Sequence, residues 1–193
     1  MARKSNAEKA ASRENIVAAA ARLIRQSGID ETSVAAIMQA AGMTHGGFYR
    51  HFESKDDLVT AAVTESFKAG LDEFSEHHDG TPDEAEAYIA QYLSDDHVEQ
   101  PDIGCPIPLL GAEIARGTDT WQRALADGVA TATRKLGEGL PGLSRADVLT
   151  LFSTLVGTVV LSRAVGDGAL RAELLAANRE HVAKAVSAAN RKP

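Results

Sequence analysis

With a single cysteine, Cys105, the chain has no intramolecular disulfide to hold it, so packing has to supply its stability. No uninterrupted apolar run approaches the roughly 20 residues that span a bilayer. The opening MARKSNAEKAASREN carries none of the apolar core of a secretory signal, so a cytoplasmic protein without a membrane partner is expected. Alternating apolar and polar runs are missing, and with them almost every strand signal. No repeat of fixed period occurs, and the richness in alanine is helix propensity. A nucleophile elbow, a metal motif and a phosphate loop are all absent, which argues against an enzyme and against a bound cofactor or metal.

What is present is an ordinary globular composition, 44% hydrophobic and 24% charged, on 193 residues, enough for one large or two small domains. The net charge of -7 is unevenly placed. Of 20 Lys/Arg and 27 Asp/Glu, eight and five fall within residues 1–55, a balance of +3; the remaining 12 and 22 give the rest a balance of -10. A basic head on an acidic body suits a molecule that meets nucleic acid at one end.

Helical spacing predicts about nine helices and an all-α fold. The first runs to Ser27 with Ile16, Ala20, Leu23 and Ile24 on one face, stopped by Gly28. Thr32 or Ser33 caps a short second helix ending at Ala41-Gly42, and Thr44 caps a third to about His51. Ser54 caps a long fourth, with Asp56 and Asp57 at the positive end of its dipole. Further helices are expected from Pro82 to about Val98, from Pro106 to near Gly117, from an Asp119 cap to about Leu136, from a Ser144 cap over the apolar run Val148 to Val160, and after Gly166-Asp167-Gly168.

Two short helices joined by Ala41-Gly42-Met43 are the sequence form of a helix-turn-helix. Gly42 can adopt the left-handed conformation that swings the chain, and Met43 can fill the gap between the helices. In the segment that follows, Phe48 and Phe52 point inward with Ile37 and Leu58. Thr44, His45 and Gly47 occupy the exposed end that reaches base edges, while Tyr49, His51 and Lys55 can contact phosphates. Gly46-Gly47 costs a helix about 1 kcal/mol per glycine relative to alanine. Close approach to DNA explains that cost; a loosely formed turn explains it equally.

The order Ser12-Arg13, Ile16, Ala19-Ala20, Leu23, Gly28, Thr32-Ser33-Val34, Ile37, Ala41 to Thr44, Phe48 to Phe52 and Ser54 to Leu58 resembles the N-terminal domain of the TetR family. It covers about 50 residues, with 41–58 its most specific part. The resemblance implies a three-helix DNA-binding domain at 1–55 and a helical effector-binding and dimerisation domain at 56–193. It also implies a homodimer on double-stranded palindromic operator DNA, released as a repressor by a small-molecule effector. Carried over by position, it makes Ser33, Thr44, His45, Gly47, Tyr49, His51 and Lys55 the DNA contacts. Met38 departs from the family's usual alanine and implies altered packing between the second and first helices.

In the body, Phe74, Tyr88, Tyr92, Trp121 and Phe152 are core candidates, some of which can line an effector pocket together with Cys105. If Pro106 is the first helical residue, Cys105 sits at the cap, where the dipole lowers a thiol's pKa. That opens an alternative in which Cys105 senses electrophiles or oxidants, against the plainer reading of a small buried hydrophobe. Gly137-Glu138-Gly139-Leu140-Pro141-Gly142 matches a dinucleotide-loop pattern but has a helix before it and a proline inside, so it reads as a turn. His77-His78-Asp79 reads as a solvated loop rather than a metal site. The rivals to the regulator reading are a helix-turn-helix protein without an effector and an enzyme using Cys105.

Overall fold

The computed structural model describes residues 6–76, 82–102 and 104–189, with side chains described outside 71–84 and 188–189. His77-His78-Asp79 and the side chain of Phe74 therefore lie outside the described part. Within it the protein is all helix: α1 (Asn6–Ser27), α2 (Val34–Ala40), a 3-10 helix (His45–Arg50), α3 (Lys55–Glu76), α4 (Pro82–Tyr92), α5 (Asp95–Glu99), α6 (Ile107–Arg116), α7 (Asp119–Gly139), α8 (Arg145–Ala164) and α9 (Gly168–Ala189).

Local chemistry sets most of these boundaries. The Ser144 and Asp147 side chains satisfy each other's backbone N–H groups in a reciprocal cap on α8. Thr118, rather than Asp119, caps α7 by accepting from the Trp121 N–H. The single helix expected from Pro82 to Val98 is two helices. The Ser94 hydroxyl accepts from the His97 N–H at 3.1 Å, and Asp95 and Asp96 follow in the first turn, so a new N-terminus forms at that point. Pro106 is the cap of α6 and not its first residue, which leaves Cys105 one position outside the helix.

Two hydrophobic cores result. The first joins α1, α2, the 3-10 helix and α3 through Ile16, Ile24, Ile37, Met38, Phe48, Phe52, Leu58 and Val63, and it continues into Leu110, Ile114 and Trp121 of α6 and α7. The second joins α4, α5, α7, α8 and α9 through Ile89, Leu93, Val98, Leu136, Leu151, Leu155, Val159, Leu175 and Val182.

One expectation needs correction. α8 does reach the length and mean hydropathy, 1.4, of a membrane-crossing helix. Threonine, serine and glycine interrupt its apolar runs without making it polar. One face, Val148, Leu151, Phe152, Leu155 and Val159, lies in the second core, while Leu149, Val160 and Leu161 are exposed.

Candidate nucleic-acid interface

The head is assembled from α1 outward. Its C-terminus is closed by Gly28 at φ +89°, whose N–H donates to the Ile24 carbonyl at 2.8 Å. The Thr32 hydroxyl then donates to the Gly28 carbonyl at 2.6 Å, which leaves Ser33 as the cap of α2, accepting from the Ala36 N–H at 3.1 Å. α2 ends at Ala41, and Gly42 at φ +70° turns the chain, with the Met43 N–H returning to the Met38 carbonyl at 2.8 Å. These are the hydrogen bonds and the left-handed residue that a helix-turn-helix turn requires.

The segment after the turn is a 3-10 helix rather than the expected α-helix, with the Gly47 N–H on the Thr44 carbonyl and the His51 N–H on the Phe48 carbonyl, both at 2.9 Å. Thr44 stands at its start in extended conformation, but its side chain makes no capping hydrogen bond. Two adjacent glycines weaken the α-helical preference enough for the tighter i to i+3 pattern to win over so short a length. Phe48 and Phe52 are buried and stacked with ring centroids 5.7 Å apart, and the Arg13 guanidinium covers Phe52 at 4.8 Å. That anchoring holds the other face outward. Thr44, His45 and Gly46 are exposed, Gly47 is half-buried, and Tyr49 is 74% exposed with its ring edge on Phe48.

Neither glycine of the pair is demanded by the protein itself. Neither has positive φ; a Cβ at Gly46 would meet nothing within 4 Å, and one at Gly47 would lie at ordinary contact, 3.6 Å, from Met38 Cε. Met38, fully buried, thus fills the space beneath the 3-10 helix as well as the interface with α1.

Of the expected DNA contacts, Ser33, Thr44, His45 and Tyr49 are exposed, and Gly47 is half-buried. His51 is half-buried. Lys55 is turned inward, its Nζ donating to the Ile29 carbonyl at 2.7 Å, where it ties the start of α3 to the α1–α2 connection. α3 itself is capped reciprocally, the Asp57 N–H on Ser54 Oγ at 3.1 Å and the Glu53 N–H on Asp57 Oδ2 at 3.3 Å.

Residues 16–62, which contain the turn and the segment after it, match the family described as "Bacterial regulatory proteins, tetR family". Over 60 residues the chain is 45% identical to the HTH-type transcriptional regulator AcrR of Shigella flexneri, covering 31% of this chain and 28% of that protein. Over 79 residues it is 35% identical to the HTH-type transcriptional regulator TtgR of Pseudomonas putida, covering 41% and 34%. The likeness to these curated relatives thus spans about a third of their length. Among solved structures, a TetR transcriptional regulator from Chloroflexus aurantiacus superposes with a TM-score of 0.73 at 26% identity, covering 93% of this chain and 96% of the other. Residues 16–62 are therefore a TetR-family domain.

The body of the chain brings together some of the expected pocket residues and separates one. Tyr88, Tyr92, Cys105 and Phe152 all belong to the second core. Trp121 belongs to the first, where its Nε1–H donates to the Asp56 carbonyl at 3.3 Å and ties α7 to the start of α3. Cys105 takes the plainer of its two expected roles, a small side chain packed against the core. Burial pushes its thiol pKa up; Tyr92, the Ile107 backbone N–H, Arg163 and Arg25 pull it back only in part. Lying outside α6 and in an apolar surround, it lacks the thiolate character expected of a helix cap.

Sequence reasoning missed the residues that join head to body. Arg25 of α1 is buried and donates Nε and Nη2 to the Asp102 carbonyl at 2.8 and 2.5 Å. Burial lowers its pKa, and Asp102, Cys105 and Glu65 raise it in opposition. Glu113 of α6 accepts the Ile29 N–H at 2.6 Å. A Cβ at Gly28 would come within 2.5 Å of that same carboxylate, so the glycine serves both the turn and the contact.

Proposed function

We propose that this protein is a homodimeric transcriptional regulator, acting as a repressor that leaves a palindromic operator when its body binds a small-molecule effector. The observation that carries the reading is the outer end of the head, where Thr44, His45, Gly46, Gly47 and Tyr49 stand exposed on a segment pinned from behind by Phe48 and Phe52. A bulky, largely exposed tyrosine beside two glycines with no internal steric role is surface made for a partner that comes close. Thr44 and His45 read base edges, Ser33, Tyr49 and His51 donate to phosphates, and the glycines admit the DNA backbone. Lys55 acts from behind, through its bond to Ile29, with its charge still near the DNA face. The boundary near residue 55 is functional and not a break in packing, since the first core runs across it into α6 and α7.

We infer that dimerisation uses α8 and α9. Leu149, Val160 and Leu161 on α8 and Leu170 on α9 are among the few large apolar side chains left exposed, and one symmetric contact buries all of them. Two heads then meet half-sites about one DNA turn apart, or a multiple of it. The effector shifts a two-state equilibrium in which the head-to-body links through Arg25 and Glu113 hold the heads in register.

The test is selection of bound sequences from random duplex DNA by the purified protein, followed by anisotropy titration of the selected site. A palindrome bound at least a thousandfold more tightly than scrambled duplex is expected. The same weak, salt-sensitive affinity for every sequence would overturn the reading.

A further inference from the structure

Around His97, two helices and the connection into α6 bring together polar groups whose hydrogen bonds the protein only partly supplies. The His97 ring is fixed at both ends. Its Nε2 faces the Cys105 backbone N–H at 3.1 Å and so accepts, which leaves Nδ1 to carry the proton and donate to the Tyr92 carbonyl at 2.6 Å. The Tyr92 ring stands 4.5 Å from it. From α8, Arg163 donates Nε to the Val98 carbonyl at 3.1 Å and Nη2 to the His97 carbonyl at 2.6 Å. Gly104 lets the loop backbone down onto this group: a Cβ there would collide with the His97 imidazole and lie 3.5 Å from Arg163 Nη2.

Two donors in this nest are unused. Arg163 Nη1 and the Tyr92 hydroxyl are buried without a hydrogen-bond partner among the described residues, and Tyr92 as a whole is only 5% exposed. The Cys105 thiol is the hydroxyl's polar neighbour, a weak sulfur acceptor that a carboxylate oxygen would replace. Capping the end of α5 explains Nε and Nη2 of the arginine; it does not explain Nη1. The charge is also unanswered. The groups that act on Arg163 are Tyr92 and Cys105, and burial pushes both of their pKa values up, so both are neutral near pH 7. A half-buried arginine whose Nη1 is buried and spare, electrostatically coupled to a tyrosine whose hydroxyl is also buried and spare, is an unfinished anion site.

We propose that this nest is the effector site and takes a small organic carboxylate, its two oxygens accepting from Arg163 Nη1 and the Tyr92 hydroxyl. Two donors fit two carboxylate oxygens, whereas a phosphate would bring more charge and more oxygens than the nest can answer. Tyr88, Ile107 and Val156, partly buried against the same core, offer an apolar wall for the rest of the ligand. The inference rests on the effector-responsive reading above and narrows it to a chemical class. The loop lining the nest is also the loop the head holds, since Arg25 grips the Asp102 carbonyl three residues before Cys105. Filling the nest therefore acts on backbone to which α1 is bonded.

The experiment uses the full-length chain with benzoate and hexanoate, paired with benzamide and hexanamide as neutral twins, and reads both thermal midpoint and operator affinity. The acids are expected to raise the midpoint and weaken operator binding at least tenfold, and the amides to do neither. Tyr92→Phe keeps the ring and removes one donor, so acid affinity should fall about tenfold without loss of fold. Arg163→Lys should lower it further, and Tyr92→Phe keeps the question open to refutation if the arginine variant fails to fold. Arg25→Gln should keep the acid-induced midpoint shift and lose the operator response. Acids and amides acting alike, acids without effect, or a Tyr92→Phe protein that binds acid like wild type would each overturn the site. Specific operator binding is measured first, without ligand. Its absence sinks the regulator reading instead, and release by a neutral compound alone sinks only the carboxylate.

Discussion

The two cores of this molecule are finished to different degrees. In the first, buried polar groups find partners at short range: Thr32 on the Gly28 carbonyl, Arg25 on Asp102, Ser66 on the Ala62 carbonyl. In the second, the Tyr92 hydroxyl, Ser162 Oγ and Arg163 Nη1 are buried without partners among the described residues, and the outer faces of α8 and α9 leave leucines and a valine to solvent. The head holds its shape from within, as a reader of a rigid duplex must. The body leaves buried donors inside, where we propose a ligand binds, and apolar side chains outside, where we propose a second copy docks. On the proposed function, a rigid DNA face and an unfinished signal-receiving body are two halves of one switch.

The largest effect should come from opening the first core. Phe48 is 2% exposed and supports both the 3-10 helix and the Phe52 ring. Phe48→Ala should cost about 3–5 kcal/mol and abolish operator binding, read by thermal unfolding and anisotropy. Because Leu110, Ile114 and Trp121 belong to that same core, melting should remain a single transition. A head that melts separately at lower temperature would show that the first core stops at the head after all.

Next come the two left-handed glycines, which separate backbone cost from head-to-body contact. Gly42 has open space around its missing Cβ, so Gly42→Ala should cost about 1–2 kcal/mol for the conformation alone. Gly28→Ala bears that cost and also drives a methyl into Glu113, disturbing the carboxylate that accepts from Ile29, so about 3 kcal/mol is expected. Denaturant unfolding of the pair, with Glu113→Gln as a control, checks the difference. Equal losses would mean the Glu113 link contributes little.

How far each core was legible follows from the same contrast. The head was readable because its signals are local: Gly28 and Gly42 fall where left-handed turns must, Ser33 and Ser54 where caps must, and Phe48 and Phe52 four apart on one face. The 3-10 geometry was missed because propensity ranks residues for α-helix without saying what replaces it. Lys55 was read as a DNA contact because sequence shows its charge and not the Ile29 carbonyl that draws it inward. The body was less legible because its apolar helices carry no mark of their partners. Trp121 looked like a pocket aromatic until tertiary packing put it in the other core. Arg163, one arginine at the end of a long apolar helix, was the available signal for the His97 nest, and its meaning depended on the fold of residues 92–105.

The body's open exterior gives a smaller effect on fold. Leu161 is 52% exposed on α8, so Leu161→Glu should change the stability of a single chain by less than about 0.5 kcal/mol. It should nonetheless turn the dimer into a monomer by light scattering and remove cooperative binding to a palindrome. A variant that stays dimeric would move the interface away from this face of α8.

The smallest change in stability goes with the most informative change in function. Gly46 is exposed, its φ is not positive, and a methyl there would touch nothing in the protein. Gly46→Ala should therefore leave the fold intact and raise its stability by up to about 1 kcal/mol, because alanine loses less backbone freedom on folding. If the glycine is there to admit DNA, the same methyl should weaken operator binding about tenfold or more while leaving the dimer and the thermal transition sound. A protein that is both more stable and an equally good binder would make the double glycine a matter of the turn alone. Readout would then rest on Thr44, His45 and the shape of the duplex.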